Sequence, residues 1–167
     1  MKYTIQEKKC DIIELLNEMK DTSKILFHQA NCFNTLGKAR GLAGVLDKQF
    51  PQIVKVDQET EKGDINKLGT YTYAEIDKNL IIVNLYGQYH YGMDKNTVYT
   101  HYISLEKAFK GALKELQFKF HKEPVLLIPR DIGSGLANGD KDKIHKIINS
   151  NICIFGTPIF DVIYFYR

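Results

Sequence analysis

The stretch Pro129-Arg-Asp-Ile-Gly-Ser-Gly-Leu-Ala-Asn-Gly-Asp140 decides how the rest of the chain is read. It follows Val125-Leu-Leu-Ile128, a short apolar run of the kind that forms a parallel strand buried on both faces. It precedes Ile144, Ile147 and Ile148, whose spacing predicts a helix. Strand, glycine-bearing loop and helix, in that order, aim backbone N–H groups at an anion, because the first turn of a helix has unpaired donors and a partial positive charge. Gly133, Gly135 and Gly139 allow a sharp turn and leave no Cβ between backbone and ligand. An ordinary surface turn also accounts for an isolated Gly-x-Gly. The deciding observation is a second loop of similar style earlier in the chain.

Length and composition bound the answer. A chain of 167 residues, 44% hydrophobic and 26% charged, suits one soluble globular domain with a core of its own. No apolar run approaches a membrane span, and Met1-Lys-Tyr-Thr-Ile-Gln-Glu7 is no signal peptide, so no membrane partner is expected. The three cysteines, Cys10, Cys32 and Cys153, are odd in number and lack metal-ligand spacing. They imply no metal and fit a reducing, cytoplasmic setting. A formal net charge of +3 from dispersed lysines disfavours nucleic acid and mildly favours an anionic small molecule.

Alternation from Tyr3 to Cys10 predicts a first strand, and Asp11 then sits where a helix N-cap belongs, before Ile12, Leu15, Leu16 and Met19. Lys24-Ile-Leu-Phe27 predicts a second strand. It opens into the loop His28-Gln-Ala-Asn-Cys-Phe-Asn-Thr-Leu-Gly-Lys-Ala-Arg-Gly41, ahead of a helix bearing Leu42, Val45, Leu46 and Phe50 that stops at Pro51. Residues from Gln52 to Leu68, with Lys55, Asp57, Glu59, Glu61 and Lys62, suggest a solvated helix or loop. Thr70 to Ile76 and Leu80 to Leu85 form a hairpin about Asp77-Lys-Asn79, followed by a third loop, Tyr86 to Gly92. Leu105, Ala108, Phe109, Ala112, Leu113 and Leu116 mark an amphipathic helix, and a last strand spans about Asp161 to Tyr166.

Strands alternating with helices predict an α/β fold: three layers, with a mixed, mostly parallel sheet covered on both faces. Ligands of such sheets bind outside the carboxyl ends of the strands. Asp11 and the three loops all fall at such ends. If they meet there, two glycine-bearing walls suit phosphates, asparagines suit sugar hydroxyls, and tyrosines suit a flat ring. That set describes a nucleotide-like ligand.

Taken together, these residues give a chain that resembles a macrodomain, the ADP-ribose-binding fold, and in particular the branch of phage and fungal ADP-ribose 1″-phosphate phosphatase-like proteins. The resemblance runs through almost all of residues 1–167, as a single macrodomain. It rests on Asp11-Ile12, on His28-Gln-Ala-Asn-Cys32, on Asn34-Thr-Leu-Gly37 with Gly41-Leu-Ala43, on Asn84 to Gly92, and on Ile128-Pro129 with Gly133 to Asp140. It departs from the family at Lys38-Ala-Arg40, which separates glycines that are usually nearly adjacent, and at Lys141, where the branch often has tryptophan. Tyr86-Gly87 and Ala137 stand where relatives with a lysine nucleophile place that lysine and its aspartate, so the resemblance does not extend to covalent lysine catalysis.

The resemblance implies binding of ADP-ribose or ADP-ribose 1″-phosphate, with ADP-ribosylated macromolecules as further partners and no cofactor. Asp11 and the Ile12 N–H would read adenine, with helix capping as the other reading of Asp11. Asn31 and Asn34 would bond the distal ribose, or simply form turns. Gly37, Gly41, Gly133, Ser134, Gly135, Leu136 and Ala137 would cradle phosphates; Arg40 would pair with a terminal phosphate; Tyr86 and Gln88 would wall the site. For an ADP-ribose 1″-phosphate phosphatase, Asp140 is the candidate base, with His28 or His90 as acid. A non-catalytic ADP-ribose reader, and a hydrolase that removes ADP-ribose from protein or nucleic acid, remain as alternatives.

Overall fold

Strands as apolar as Leu80-Ile-Ile-Val and Val125-Leu-Leu-Ile cannot leave a face in water, so the sheet they build must be covered on both sides. The computed structural model describes residues 3–154 and 156–167; Met1 and Lys2, the start of the segment read for a leader, lie outside them. In chain order the elements are β1 (Ile5–Lys9), α1 (Ile12–Glu18), β2 (Lys24–Asn31), α2 (Gly41–Gln49), α3 (Pro51–Gln58), β3 (Tyr71–Asp77), β4 (Leu80–Gln88), α4 (Tyr102–Leu116), β5 (Val125–Pro129), α5 (Lys141–Ile152), β6 (Cys153–Ile154), β7 (Thr157–Pro158) and β8 (Val162–Tyr166). Six strands form one sheet in the order β1-β8-β5-β2-β4-β3, and β6 and β7 pair separately. Every neighbour in the large sheet is parallel except the β3–β4 hairpin. The carboxyl ends of β1, β8, β5, β2 and β4 therefore share one edge.

Side chains alternate along β2. Ile25 and Phe27 join the core beneath α4 and α5, with Leu105, Phe109, Ile144 and Ile148. Leu26 joins the opposite core with Ile12, Leu15, Leu46 and Ile53 of α1 to α3. This is the three-layer α/β arrangement the pattern predicts. Among the described residues no helix is long and apolar enough to cross a membrane.

Three expectations need correction. Pro51 ends α2 but also opens α3, where the missing N–H of a first helical residue costs nothing. The segment after it is not simply solvated, for Asp57 is wholly buried and Lys67 nearly so. β2 and β4 also run further than predicted, to Asn31 and Gln88.

Asp57 and Lys67 anchor a continuous buried chain of hydrogen bonds. Lys67 Nζ donates to Asp57 Oδ1 at 3.1 Å and to Asn34 Oδ1 at 2.7 Å, and lies 4.3 Å above the Tyr86 ring. The Tyr86 hydroxyl donates to Asp57 Oδ1 at 2.8 Å and stands 3.0 Å from Thr72 Oγ1. Asn84 Nδ2 donates to that same Thr72 oxygen, and Asn84 Oδ1 is 2.6 Å from His28 Nε2. The chain thus joins β2, β3, β4, α3 and the loop after β2.

A buried ion pair stripped of one partner leaves a charge with no solvent and no counterion. Lys67→Met should lower unfolding free energy by roughly 3–5 kcal/mol, measured by urea denaturation; a loss below about 1 kcal/mol would mean that the pair behaves as a surface one. A second prediction concerns pH. Burial holds the His28 imidazole below its ordinary value, against smaller opposing pulls from the Asn84 hydrogen bond and the Asp57 charge. Above that ordinary value both native and unfolded histidine are neutral. As pH falls through it, only the unfolded chain takes the proton, so His28 should make stability fall by up to about 1.4 kcal/mol per pH unit below about pH 6.5. Denaturation curves of wild type and His28→Gln between pH 7 and pH 5 should differ in slope by that contribution.

Candidate functional site

The loops that follow β2, β4 and β5 enclose a cleft of about 810 Å³ at the shared carboxyl edge. Its floor is polar. Gln29, on β2, donates through Nε2 to Gln88 Oε1 at 2.8 Å and to Thr100 Oγ1 at 3.0 Å, while the Thr100 hydroxyl donates to the Gly133 carbonyl at 2.6 Å. One side chain therefore fixes the strand ends to the glycine loop.

The first wall runs from Asn31 to the start of α2. Asn31 closes it locally, its Oδ1 accepting from the Phe33 N–H and its Nδ2 donating to Thr35 Oγ1. Further on, Asp47 of α2 reaches back to accept from the N–H groups of Gly37 at 2.6 Å and Ala39 at 3.4 Å. Burial raises the Asp47 carboxyl, and these two N–H groups oppose that shift. Lys38-Ala-Arg40 is thereby folded onto α2 and lines the cleft. Arg40 extends across it, placing Nη1 3.3 Å from Met93 Sδ in the loop after β4.

The start of α2 is chemically unusual. Arg40 occupies the cap position and makes no side-chain cap, and no acidic residue follows in the first turn. The N–H groups of Gly41, Leu42 and Ala43 have no helical acceptors, and all three residues line the cleft. Gly41 has φ +63°, and a Cβ there would meet nothing within 4 Å, so the backbone opens onto free space.

The second wall is the turn after β5. Ser134 and Gly135 direct their N–H groups to the Asp131 carbonyl at 2.9 and 3.1 Å. Among the described residues, the N–H groups of Gly133, Leu136 and Ala137 donate to no protein acceptor. Gly133 has φ +67°, and a Cβ there would fall 2.8 Å from Gln29 Oε1. Asn138 pins the wall from outside by donating to the Asp94 and Thr97 carbonyls, both at 2.8 Å. Among the described residues, Lys38, Arg40 and Lys62 line the cleft with a single acidic residue, Asp131. The arrangement is an anion cradle between two sets of free backbone donors.

The structure brings together Asn31, Gly37, Arg40, Gly41, Gln88, Gly133, Gly135, Leu136 and Ala137 in the cleft. It does not bring the others into play as expected. Asp11 caps α1 by accepting from Ile13 N–H at 2.8 Å and pairs with Arg167, while Ile12 is buried in the core; both share the edge but lie outside the cleft. Asn34 lines the cleft with no free amide, since Nδ2 donates to the Asp57 and Thr60 carbonyls and Oδ1 accepts from Lys67. Tyr86 points into the core with its hydroxyl on Asp57. Ser134 is not among the residues that line the cleft.

The expected catalytic groups fare no better. Asp140 caps α5 by accepting from Lys143 N–H at 3.0 Å and is not in the cleft. His90 packs on Phe33 outside it. His28 lines the floor of the cleft but is buried, with Nε2 bonded to Asn84 and Nδ1 without a partner among the described residues. Burial also pushes the Cys32 thiol up to about 11, which removes thiolate chemistry there at neutral pH. Sequence reasoning missed Gln29, Gln58 and Asp131. The available signal for Gln29 was a polar residue at an inward position near the end of an apolar strand.

No family model matches the chain. Over 149 residues it is 35% identical to an uncharacterized 17.5 kDa protein from the tk-vs intergenic region of Enterobacteria phage T4, covering 85% of this chain and 86% of that protein. The macrodomain of Mycobacterium tuberculosis DarG superposes with a TM-score of 0.67 at 13% identity, covering 99% of both chains. Thermosipho africanus DarTG, solved in complex with ADP-ribose, superposes with a TM-score of 0.59 at 16% identity, over 85% of this chain and 38% of that one. The chain belongs to the family of the phage T4 tk-vs intergenic protein, and its fold is that of a macrodomain.

Proposed function

We propose that the cleft binds ADP-ribose or an ADP-ribose derivative, holding the diphosphate between the start of α2 and the Gly133–Ala137 turn. The observation that carries this reading is the uncapped helix start. A helix whose cap position holds arginine, whose first turn has no acid, and whose donors face a second donor-rich turn is arranged for a diffusible anion. Lys38, Arg40 and Lys62 supply net positive charge around it. The ADP-ribose complex of the T. africanus neighbour supports the choice of ligand. The free thiols of Cys10, Cys32 and Cys153 suit the reducing, cytoplasmic setting.

Hydrolysis is the second reading, and one observation favours it: the acidic residue Asp131 lines the cleft and Asp140 does not. In that role Asp131 would activate water at a phosphoryl group or at the distal ribose, while the free N–H groups stabilise developing negative charge. Binding without turnover is the reading of first choice, because His90 lies outside the cleft and His28, which lines it with an unpartnered Nδ1, is buried and so disfavours the protonated form an acid needs.

Isothermal calorimetry with ADP-ribose should show one-site binding, and Gly41→Asp should weaken it at least about a hundredfold, since a carboxylate would then stand at the helix start in the anion's place. Gly41→Asp suits the test because the added side chain meets no neighbour and aspartate tolerates positive φ. Undiminished binding in that variant would move the diphosphate elsewhere. A phosphate-release assay on ADP-ribose 1″-phosphate separates the two readings. No release by wild type is expected for a reader. Release that vanishes in Asp131→Asn and survives in Asp140→Ala would establish the hydrolase.

A further inference from the structure

The cleft is not centred on the sheet edge. It lies over the ends of β5, β2 and β4, and its far side, towards β4, is aromatic rather than polar. Phe33, from the loop after β2, and Tyr91, from the loop after β4, both line it, with ring centroids 6.2 Å apart and planes at 66°. Tyr91 is half exposed.

These two rings are braced from behind. The His90 ring lies 4.7 Å from Phe33 and 5.5 Å from Tyr91, outside the cleft. Tyr89 packs edge-on to Phe33 at 5.2 Å, and its hydroxyl donates to the Gly63 carbonyl at 2.8 Å. Gly63 in turn donates its N–H to the Cys32 carbonyl at 2.7 Å and sits so close to Phe33 that a Cβ would come within 3.3 Å of the ring. Phe33 is therefore held on several sides and turned to the cleft on another. A ribose is recognised by hydrogen bonds and gains little from such a wall, whereas a planar base gains from stacking on a fixed ring. The wall lies on the β4 side of the diphosphate cradle, and the Asp11 end of the edge lies on the other, across β8. A ligand whose phosphates rest in the cradle thus has one nucleoside end towards each.

Building on the ADP-ribose reading above, we propose that the Phe33–Tyr91 wall receives a planar heteroaromatic group carried on the distal ribose, so that the preferred ligand is a base-bearing glycoside of ADP-ribose rather than ADP-ribose itself. Lys62, which also lines this end, favours a neutral ring over a cationic one.

The probe is P1,P2-di(adenosine-5′) diphosphate, which is ADP-ribose with adenine on the distal ribose and reads the same from either end. Calorimetry on the intact chain should find it bound about tenfold tighter than ADP-ribose. In Tyr91→Leu and in Phe33→Leu, each checked for folding by thermal denaturation, the ratio of the two dissociation constants should fall towards one. Equal affinity of wild type for both ligands overturns the proposal, as does a ratio unchanged in both variants; the latter is also the result expected if the wall holds the adenine of ADP-ribose itself. Should neither ligand bind wild type at all, the fault lies with the ADP-ribose reading on which the proposal rests.

Discussion

The ion pair between Lys67 and Asp57 is the constraint on which the site depends. Two charges removed from water must satisfy each other and every remaining hydrogen-bonding atom nearby, or the cost is several kcal/mol per charge. Lys67 answers this demand by reaching both Asp57 Oδ1 and Asn34, and Asn34 donates in turn to the Asp57 and Thr60 carbonyls, while Asp57 Oδ2 has no partner among the described residues. Asn34 is thereby held at φ +53°, a conformation few residues other than glycine adopt readily. The turn it fixes sends the chain through Gly37 to Arg40 and delivers the start of α2 to the cleft. An interaction within the core thus sets the direction of an anion-binding helix start.

The same logic separates residues that hold the cleft from residues that face into it. Asn34, Asn84 and Tyr86 are polar side chains near the strand ends, and all are consumed by the buried chain of hydrogen bonds, which also engages Nε2 of His28. What remains free at the cleft surface is largely backbone: the first turn of α2 and the donors of Gly133, Leu136 and Ala137. Backbone donors bind an anion without discriminating strongly among phosphates. Discrimination falls to the ends of the cleft, where Arg40, Lys62, Phe33 and Tyr91 stand.

Much of the fold was legible in the sequence because its signals are local. The apolar runs of β4 and β5, the helical spacing of α4, the turn at Asp77-Lys-Asn79 and the cap at Asp11 each need only a few neighbouring residues. The glycine loops were legible for the same reason. What escaped depends on partners distant in sequence. Asp57 is surrounded in the chain by Lys55, Glu59 and Glu61 and looks solvated, yet its burial is decided by Lys67 and by Tyr86 on another strand. Tyr86, assigned to the wall of the site, sits one position along a strand from facing it, and the length of β4 decides which way it points. Asp11 has the predicted capping role, while its pairing with Arg167 at the far end of the chain has no local signal.

The central claim is that two backbone segments, distant in sequence, grip one diphosphate. Amide chemical shifts of 15N-labelled protein during titration with ADP-ribose test it most directly. The account predicts that the Gly41, Leu42 and Ala43 amides move together with those of Gly133, Leu136 and Ala137, on one binding isotherm. Saturable binding that leaves either group of amides unperturbed would contradict it.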